Sequence, residues 1–186
     1  VFLGPLVGAL SRSATGWIAD KWGGARVTFW VFILMMLGVL GILYFIGIKD
    51  QPGAFWGFFA MFLVLFFATG VGNASTFQTI PNIMRKEMDR LMPTADALTR
   101  QRQAEKESAA ITGFTSAIAA FGAFFIPKSY GTSIDLTGGV QGALWGFFIF
   151  YVICVVITWA VYSRKGGLLH DIERSPRIVP VTQAAE

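Results

Sequence analysis

One cation, Arg12, lies inside an apolar stretch over residues 5–19 that ends before the first acidic residue, Asp20. In a helix, the residues three, four and seven positions from Arg12 are small, and bulky apolar side chains occupy the opposite face. Because small residues let helices approach closely, Arg12 is predicted to face the protein interior or an aqueous cavity. It lies about 12 Å from Asp20, deep in a hydrocarbon core about 30 Å thick. A guanidinium there indicates a functional site, with a structural arginine neutralised by carboxylate or carbonyl groups as the alternative.

Two further side chains lie at the same predicted depth. Phe77 precedes Arg85 by eight residues and Ser116 follows Glu107 by nine, so both lie about 12 to 14 Å from charged ends of their segments. A layer with a fork-shaped cation, a hydroxyl, a flat aromatic face and close-approach glycines suits a small planar oxyanion. The sequence therefore predicts an anion site at Arg12, Phe77 and Ser116, with helix packing as the alternative role of the last two.

The elements that must position these residues are membrane-spanning helices. Apolar residues make up 54% of the chain and charged residues 14%, which is typical of a membrane protein. Five apolar segments have about the length needed to span a bilayer: 1–19, 27–48, 55–84, 109–126 and 140–162. We therefore predict an all-α membrane protein with five transmembrane helices within residues 1–164. Residues 165–186 lack apolar periodicity and are predicted to form a disordered tail.

The basic residues predict the orientation in the membrane. Twelve of the 15 Lys and Arg residues fall in the first and third connections and in the tail. By the positive-inside rule, this side, including the C-terminus, is cytoplasmic. The same rule explains the net charge of +4, so no nucleic-acid partner is expected. Because the sequence starts with Val inside an apolar run, we expect it to be part of a longer chain.

The composition argues against redox or metal chemistry. The single cysteine, Cys154, lies in an apolar run and is interpreted as a small hydrophobic residue. A membrane anchor of a redox enzyme needs haem or quinone ligands, but the only histidine, His170, lies in the predicted tail. Apart from Arg12, the five segments contain no deeply placed Asp, Glu, Lys or His, and so no candidate proton carrier. We expect no cofactor, no metal and no enzymatic activity.

Four motifs resemble a known transporter family. They are GALSRSATG at residues 8–16, DKWGGAR at 20–26, GNASTFQ at 72–78 and GFTSAIAAFGAFFIP at 113–127. Together they resemble the nitrate/nitrite porter family of the major facilitator superfamily, and the last motif is similar to that family's second nitrate signature. The loop motif at 20–26 is shared across the superfamily, whereas the signature helix and the membrane arginine are more specific.

The resemblance covers residues 1–164 and implies the last five of twelve helices, in the C-terminal half of a transporter. It implies that Arg12 is one of two substrate arginines, whose partner lies in the missing N-terminal half. The predicted substrate-binding residues are Arg12, Phe77, Gly113 and Ser116.

The function implied is transport of nitrate and nitrite across the inner membrane by a multi-pass protein. Nitrate/nitrite exchange by alternating access is favoured, because this portion has no buried proton carrier and its loop and signature resemble the exchanger branch. Nitrate/proton symport and transport of another anion by the same superfamily remain the alternatives.

Overall fold

The computed structural model describes residues 2–164 and shows that most of them are helical. The elements are α1 (Leu3–Ala14), α2 (Gly16–Trp22), α3 (Gly24–Gly47), α4 (Ala54–Leu91), α5 (Ala97–Thr137) and α6 (Gln141–Thr158), with a π-helical turn at Trp159–Ser163. Within these residues four helices, α3, α4, α5 and α6 with its π-helical turn, are long and apolar enough to cross a membrane. The predicted all-α membrane fold is confirmed, and the predicted tail at 165–186 lies outside the described residues.

The first predicted span, 1–19, differs from the prediction because its helix is interrupted at Thr15. α1 has 12 residues and α2 has seven, so neither reaches the roughly 20 residues that cross a bilayer. Thr15 adopts φ −107° and ψ 2°, and its hydroxyl donates a hydrogen bond to Ser11 O at 2.5 Å. Such a bond to the local backbone competes with regular helix geometry. The described chain therefore has four long spans rather than five, and Arg12 lies in the last turn of α1.

The two longest helices extend beyond the predicted spans. α4 continues to Leu91 and α5 starts at Ala97, so the predicted connection at 85–108 is reduced to residues 92–96. Pro81 and Pro127 lie inside α4 and α5 without ending either helix. As a result, the predicted connection at 127–139 is also mostly helical, and α5 is continuous over 41 residues.

Polar contacts stabilise the turn between α4 and α5. The Asp96 carboxylate caps α5 by accepting a hydrogen bond from the backbone N of Thr99 at 3.1 Å. Hydrogen bonds from the side chain and the backbone of Thr99 lower the pKa of Asp96. Arg100 Nε lies 3.6 Å from Asp89 Oδ1, an ion pair that connects the end of α4 to the start of α5. The two helices therefore form a closed hairpin at their charged end.

α4 is the central element, because it contacts α1, α2, α3 and α5. The core between α3 and α4 consists of Val27, Val31, Met35, Ala68 and Val71. A second apolar cluster, Val39, Ile42 and Leu144, brings α6 against α3. Ser75 is completely buried, and its Oγ lies 2.8 Å from Thr28 Oγ1. This hydrogen bond fixes the register of α3 against α4.

α5 lies at the edge of this array. Among residues 2–164, its Cα atoms come within 8 Å only of those of α4 and α6. The most apolar 18 consecutive residues of α5 include no buried residue, and Phe114 and Phe121 are 70% and 66% exposed. An exposed apolar surface of this kind suits contact with lipid or with other membrane helices.

Candidate functional site

Small residues bring α1 into close contact with α4. A Cβ added at Gly70 would overlap Gly8 O and Ser11 Oγ, and one added at Gly8 would lie 3.3 Å from Phe66 O. The buried Ser11 hydroxyl lies 3.0 Å from Gly8 O and 3.2 Å from Phe67 O, so its proton can be donated to either helix. The backbones of α1 and α4 thus touch at a position where only glycine fits.

The spacing of these contacts along the two helices places Arg12 of α1 against α4. Gly8 lies against Gly70, and a Cβ added at Gly16 would lie 3.1 Å from Gln78 Nε2, so the two segments run in the same direction. Arg12 is midway between the two glycines in sequence and is therefore level with Ala74. Its backbone N would lie 3.0 Å from a Cβ at Gly70, so the arginine backbone rests directly on α4.

The Arg12 side chain reaches the predicted aromatic partner. Arg12 Cζ lies 5.6 Å from the centroid of the Phe77 ring, a cation–π geometry. In the part of the chain that the structure describes, Arg12 forms no ion pair with a carboxylate. The alternative of a structural arginine neutralised by a carboxylate of these helices is therefore not seen. The guanidinium is exposed and retains its N–H donors for a ligand.

Two amide side chains of α4 have buried oxygens without partners. Asn73 Oδ1 and Gln78 Oε1 are shielded from solvent, and neither accepts a hydrogen bond within residues 2–164. Gln78 lies against Gly16 of α2, whereas Asn73 is one helical turn before Phe77 and shares its face. The sequence analysis did not identify Asn73 as a site residue. The signal for it was present, since Thr69, Gly70, Asn73 and Phe77 lie along one helical face.

The other two predicted site residues lie elsewhere. Ser116 and Gly113 are exposed residues of α5, and no Cα of described α5 lies within 8 Å of one in α1 or α2. The structure thus brings Arg12 and Phe77 together but does not bring Ser116 or Gly113 to them. The roles of all four in substrate binding stay predictions.

Gly113 lines a cavity between α4 and α5 with a volume of about 580 Å³. Arg85 and Glu105 contribute its charged groups, while Pro81 and Ser108 form part of the wall. Arg85 makes no hydrogen bond or ion pair with the described residues. Because Phe77 is one turn beyond Pro81 on α4, the cavity extends from the charged end of the helices toward the level of the Arg12–Phe77 pair.

Metal-ligating groups are not clustered in this region. Among residues 2–164, no three His, Cys, Asp or Glu side chains are grouped so that they could hold a metal ion. The arrangement at Arg12 is instead that of a cation on an aromatic face, which suits recognition of an anion through N–H donors.

Comparison with known proteins gives clear relatives, although no family model matches the chain. It is 45% identical over 167 residues to the nitrate/nitrite transporter NarU of Salmonella typhimurium, covering 88% of this chain and 36% of that protein. It is 42% identical to NarU of Escherichia coli, with the same coverage. It is 32% identical over 169 residues to the probable nitrate/nitrite antiporter NarK2 of Thermus thermophilus, covering 89% of this chain and 33% of that protein. The chain thus spans about a third of the length of these relatives.

Proposed function

We propose that this chain, which belongs to the nitrate/nitrite porter family of the major facilitator superfamily, forms part of a transporter that carries nitrate and nitrite across a membrane. The observation that carries the proposal is the guanidinium of Arg12, which has no carboxylate partner in the described chain and lies over Phe77. The names of the relatives supply the identity of the anions. The proposed activity moves the anion without changing it chemically.

The proposed role of Arg12 is to bind the anion through its planar fork. A trigonal oxyanion such as nitrate can accept two parallel N–H bonds from one guanidinium. Phe77 supports the guanidinium from one side and offers an apolar face that excludes water. Gly113 and Ser116 are proposed to approach the anion from α5 in the complete transporter, together with a second arginine from the missing part of the chain.

Residues 1–164 are proposed as the C-terminal transmembrane portion, in the inner membrane, with the C-terminus in the cytoplasm. The distribution of Lys and Arg supports this orientation.

We favour exchange of nitrate for nitrite over nitrate/proton symport. Proteoliposomes of the full-length protein loaded with nitrite should take up nitrate at a rate that depends on internal nitrite but not on a proton gradient. Uptake that requires an inward proton gradient would favour symport instead.

The test of the binding site compares Arg12→Lys and Arg12→Gln with the parent in full-length protein. Lysine keeps the charge but loses the fork, so nitrate binding should weaken by about 1.5 to 3 kcal/mol, or roughly ten- to 150-fold. Binding is measured by calorimetry, and thermal unfolding shows whether each variant is folded. If both variants fold and bind nitrate as tightly as the parent, Arg12 is structural and the proposed site is wrong.

A further inference from the structure

Asn73 presents an unexplained buried polar group beside the proposed site. Its Oδ1 is shielded from solvent and has no hydrogen-bond partner among residues 2–164. Buried polar atoms are nearly always paired, because an unpaired acceptor loses its bonds to water and gains nothing in return. An amide oxygen left without a donor therefore points to a donor that arrives in another state of the molecule.

The position of Asn73 identifies a donor within reach. Arg12 is level with Ala74, its backbone N lies against Gly70, and its Cζ lies 5.6 Å from the Phe77 ring centroid. The arginine side chain thus runs along α4 between Gly70 and Phe77. Asn73 lies between these two residues, and it shares their helical face, three residues after Gly70 and four before Phe77. Asn73 therefore lies on the stretch of α4 along which the Arg12 side chain runs.

We propose that Asn73 is a further anion-binding residue of this site, a role that rests on the proposed function. When the anion is bound, Asn73 Oδ1 accepts a hydrogen bond from one N–H of Arg12, and Asn73 Nδ2 donates to an oxygen of the anion. A guanidinium has five N–H donors, so one can serve Asn73 while two others hold nitrate. The carboxamide thereby fixes the plane of the fork and supplies one more donor to a small oxyanion.

The charge of the carboxamide is as important as its shape. A neutral amide orients Arg12 without cancelling its positive charge, whereas a carboxylate at the same place would neutralise the guanidinium and repel the anion. Asn73→Asp should therefore be far more damaging than loss of the side-chain hydrogen bonds alone. Because a nearby guanidinium keeps a carboxylate ionised, the effect should persist on mild acidification.

The chain offers a matched control in Gln78. It is also an amide of α4 with a buried, unpaired oxygen, but it lies against Gly16 of α2 rather than beside Phe77. Replacing either amide by an apolar side chain of similar volume removes the same kind of unpaired group. Only the change at Asn73 should alter anion binding.

The experiment measures the dissociation constant for nitrate in full-length protein by calorimetry, with thermal unfolding recorded for each variant. Asn73→Leu should bind nitrate about three- to tenfold more weakly than the parent, as expected for loss of one or two hydrogen bonds. Gln78→Met should bind within about twofold of the parent. Asn73→Asp should bind about 100-fold more weakly at pH 7.5 and show the same loss at pH 5, because a nearby guanidinium keeps the carboxylate ionised. Gln78→Glu should bind within about twofold of the parent at both pH values.

Two results would overturn the inference while leaving the proposed function intact. One is a folded Asn73→Leu protein that binds nitrate as tightly as the parent; the other is equal weakening by Gln78→Met. If Asn73→Leu does not fold, nitrate binding by Asn73→Asp and by Gln78→Glu is compared instead, and equal affinities would overturn the inference in the same way. A parent protein that binds no nitrate would instead overturn the proposed function, and this inference with it.

Discussion

The contact between Gly70 and α1 predicts how Gly70→Ala should act. The new methyl group would overlap Gly8 O and Ser11 Oγ and would lie 3.0 Å from the backbone N of Arg12. The Ser11 hydroxyl can rotate away, but the carbonyl and the amide belong to the α1 backbone. To restore ordinary contact distances of about 3.5 Å, α1 must move away from α4 by roughly 1 Å.

The variant should remain folded, but its affinity for nitrate should fall measurably. Overpacking lowers the free energy of unfolding by about 1 to 3 kcal/mol, whereas replacing a helical glycine by alanine raises it by about 0.8 to 1.0 kcal/mol. The net destabilisation is therefore about 0 to 2 kcal/mol. Moving α1 carries Arg12 with it and lengthens its charged hydrogen bonds to the anion. We expect the nitrate dissociation constant to rise at least about tenfold, equivalent to about 1.4 kcal/mol.

Gly146→Ala provides the control for Gly70→Ala, because a Cβ added at Gly146 of α6 would meet no atom within 4 Å. That variant should be as stable as the parent or more stable, with unchanged nitrate affinity. Both variants are made in full-length protein, and nitrate affinity and thermal unfolding are measured on the same samples. If Gly70→Ala binds nitrate within about twofold of Gly146→Ala, the close approach of α1 and α4 does not position Arg12 and the reasoning is refuted.

Three further predictions concern the other elements. Ser116→Leu should abolish nitrate uptake without preventing membrane insertion, because the larger side chain would occupy the space in which the anion is proposed to bind; near-normal uptake would limit α5 to a packing role. In intact cells, a cysteine at position 53 should react with an impermeant reagent and one at position 99 should not; the opposite pattern would reverse the orientation. Arg85→Gln should raise the KM for nitrate at low salt without lowering the maximal rate, because the unpaired cation attracts anions into the α4–α5 cavity. An unchanged KM, or an equal effect of Arg102→Gln outside that cavity, would exclude this role.

Much of the fold could be predicted because apolar length is a strong signal. The runs at 27–48, 55–84, 109–126 and 140–162 each correspond to a long helix of the structure. Their ends could not be predicted from hydropathy, since α4 and α5 continue into polar residues that also favour helix. The interruption at Thr15 was also missed, because hydropathy carries no information on the backbone angles of a single residue.

The site was predicted in part, for a geometric reason. Counting residues from the nearest charges measures depth along a helix, and it placed Arg12, Phe77 and Ser116 at one level. Depth does not give the direction in which a helix face points or which helices are adjacent. The structure brings Arg12 to Phe77 because α1 packs on α4, while Ser116 lies on α5 at the edge of the array.

The continuous α4 and α5 have a mechanical consequence. Helices of 38 and 41 residues are about 57 and 62 Å long, roughly twice the thickness of the hydrocarbon core. The connection at 92–96 joins them at one end, where the Arg100–Asp89 ion pair also lies, so the charged tip of the hairpin is expected outside the bilayer. A tilt of about 10° moves one end of a rod of that length by about 10 Å relative to the other. Because Leu91 lies about 21 Å beyond Phe77, the same tilt moves the charged end by about 4 Å relative to Phe77, a displacement that a spectroscopic label at Thr99 can report.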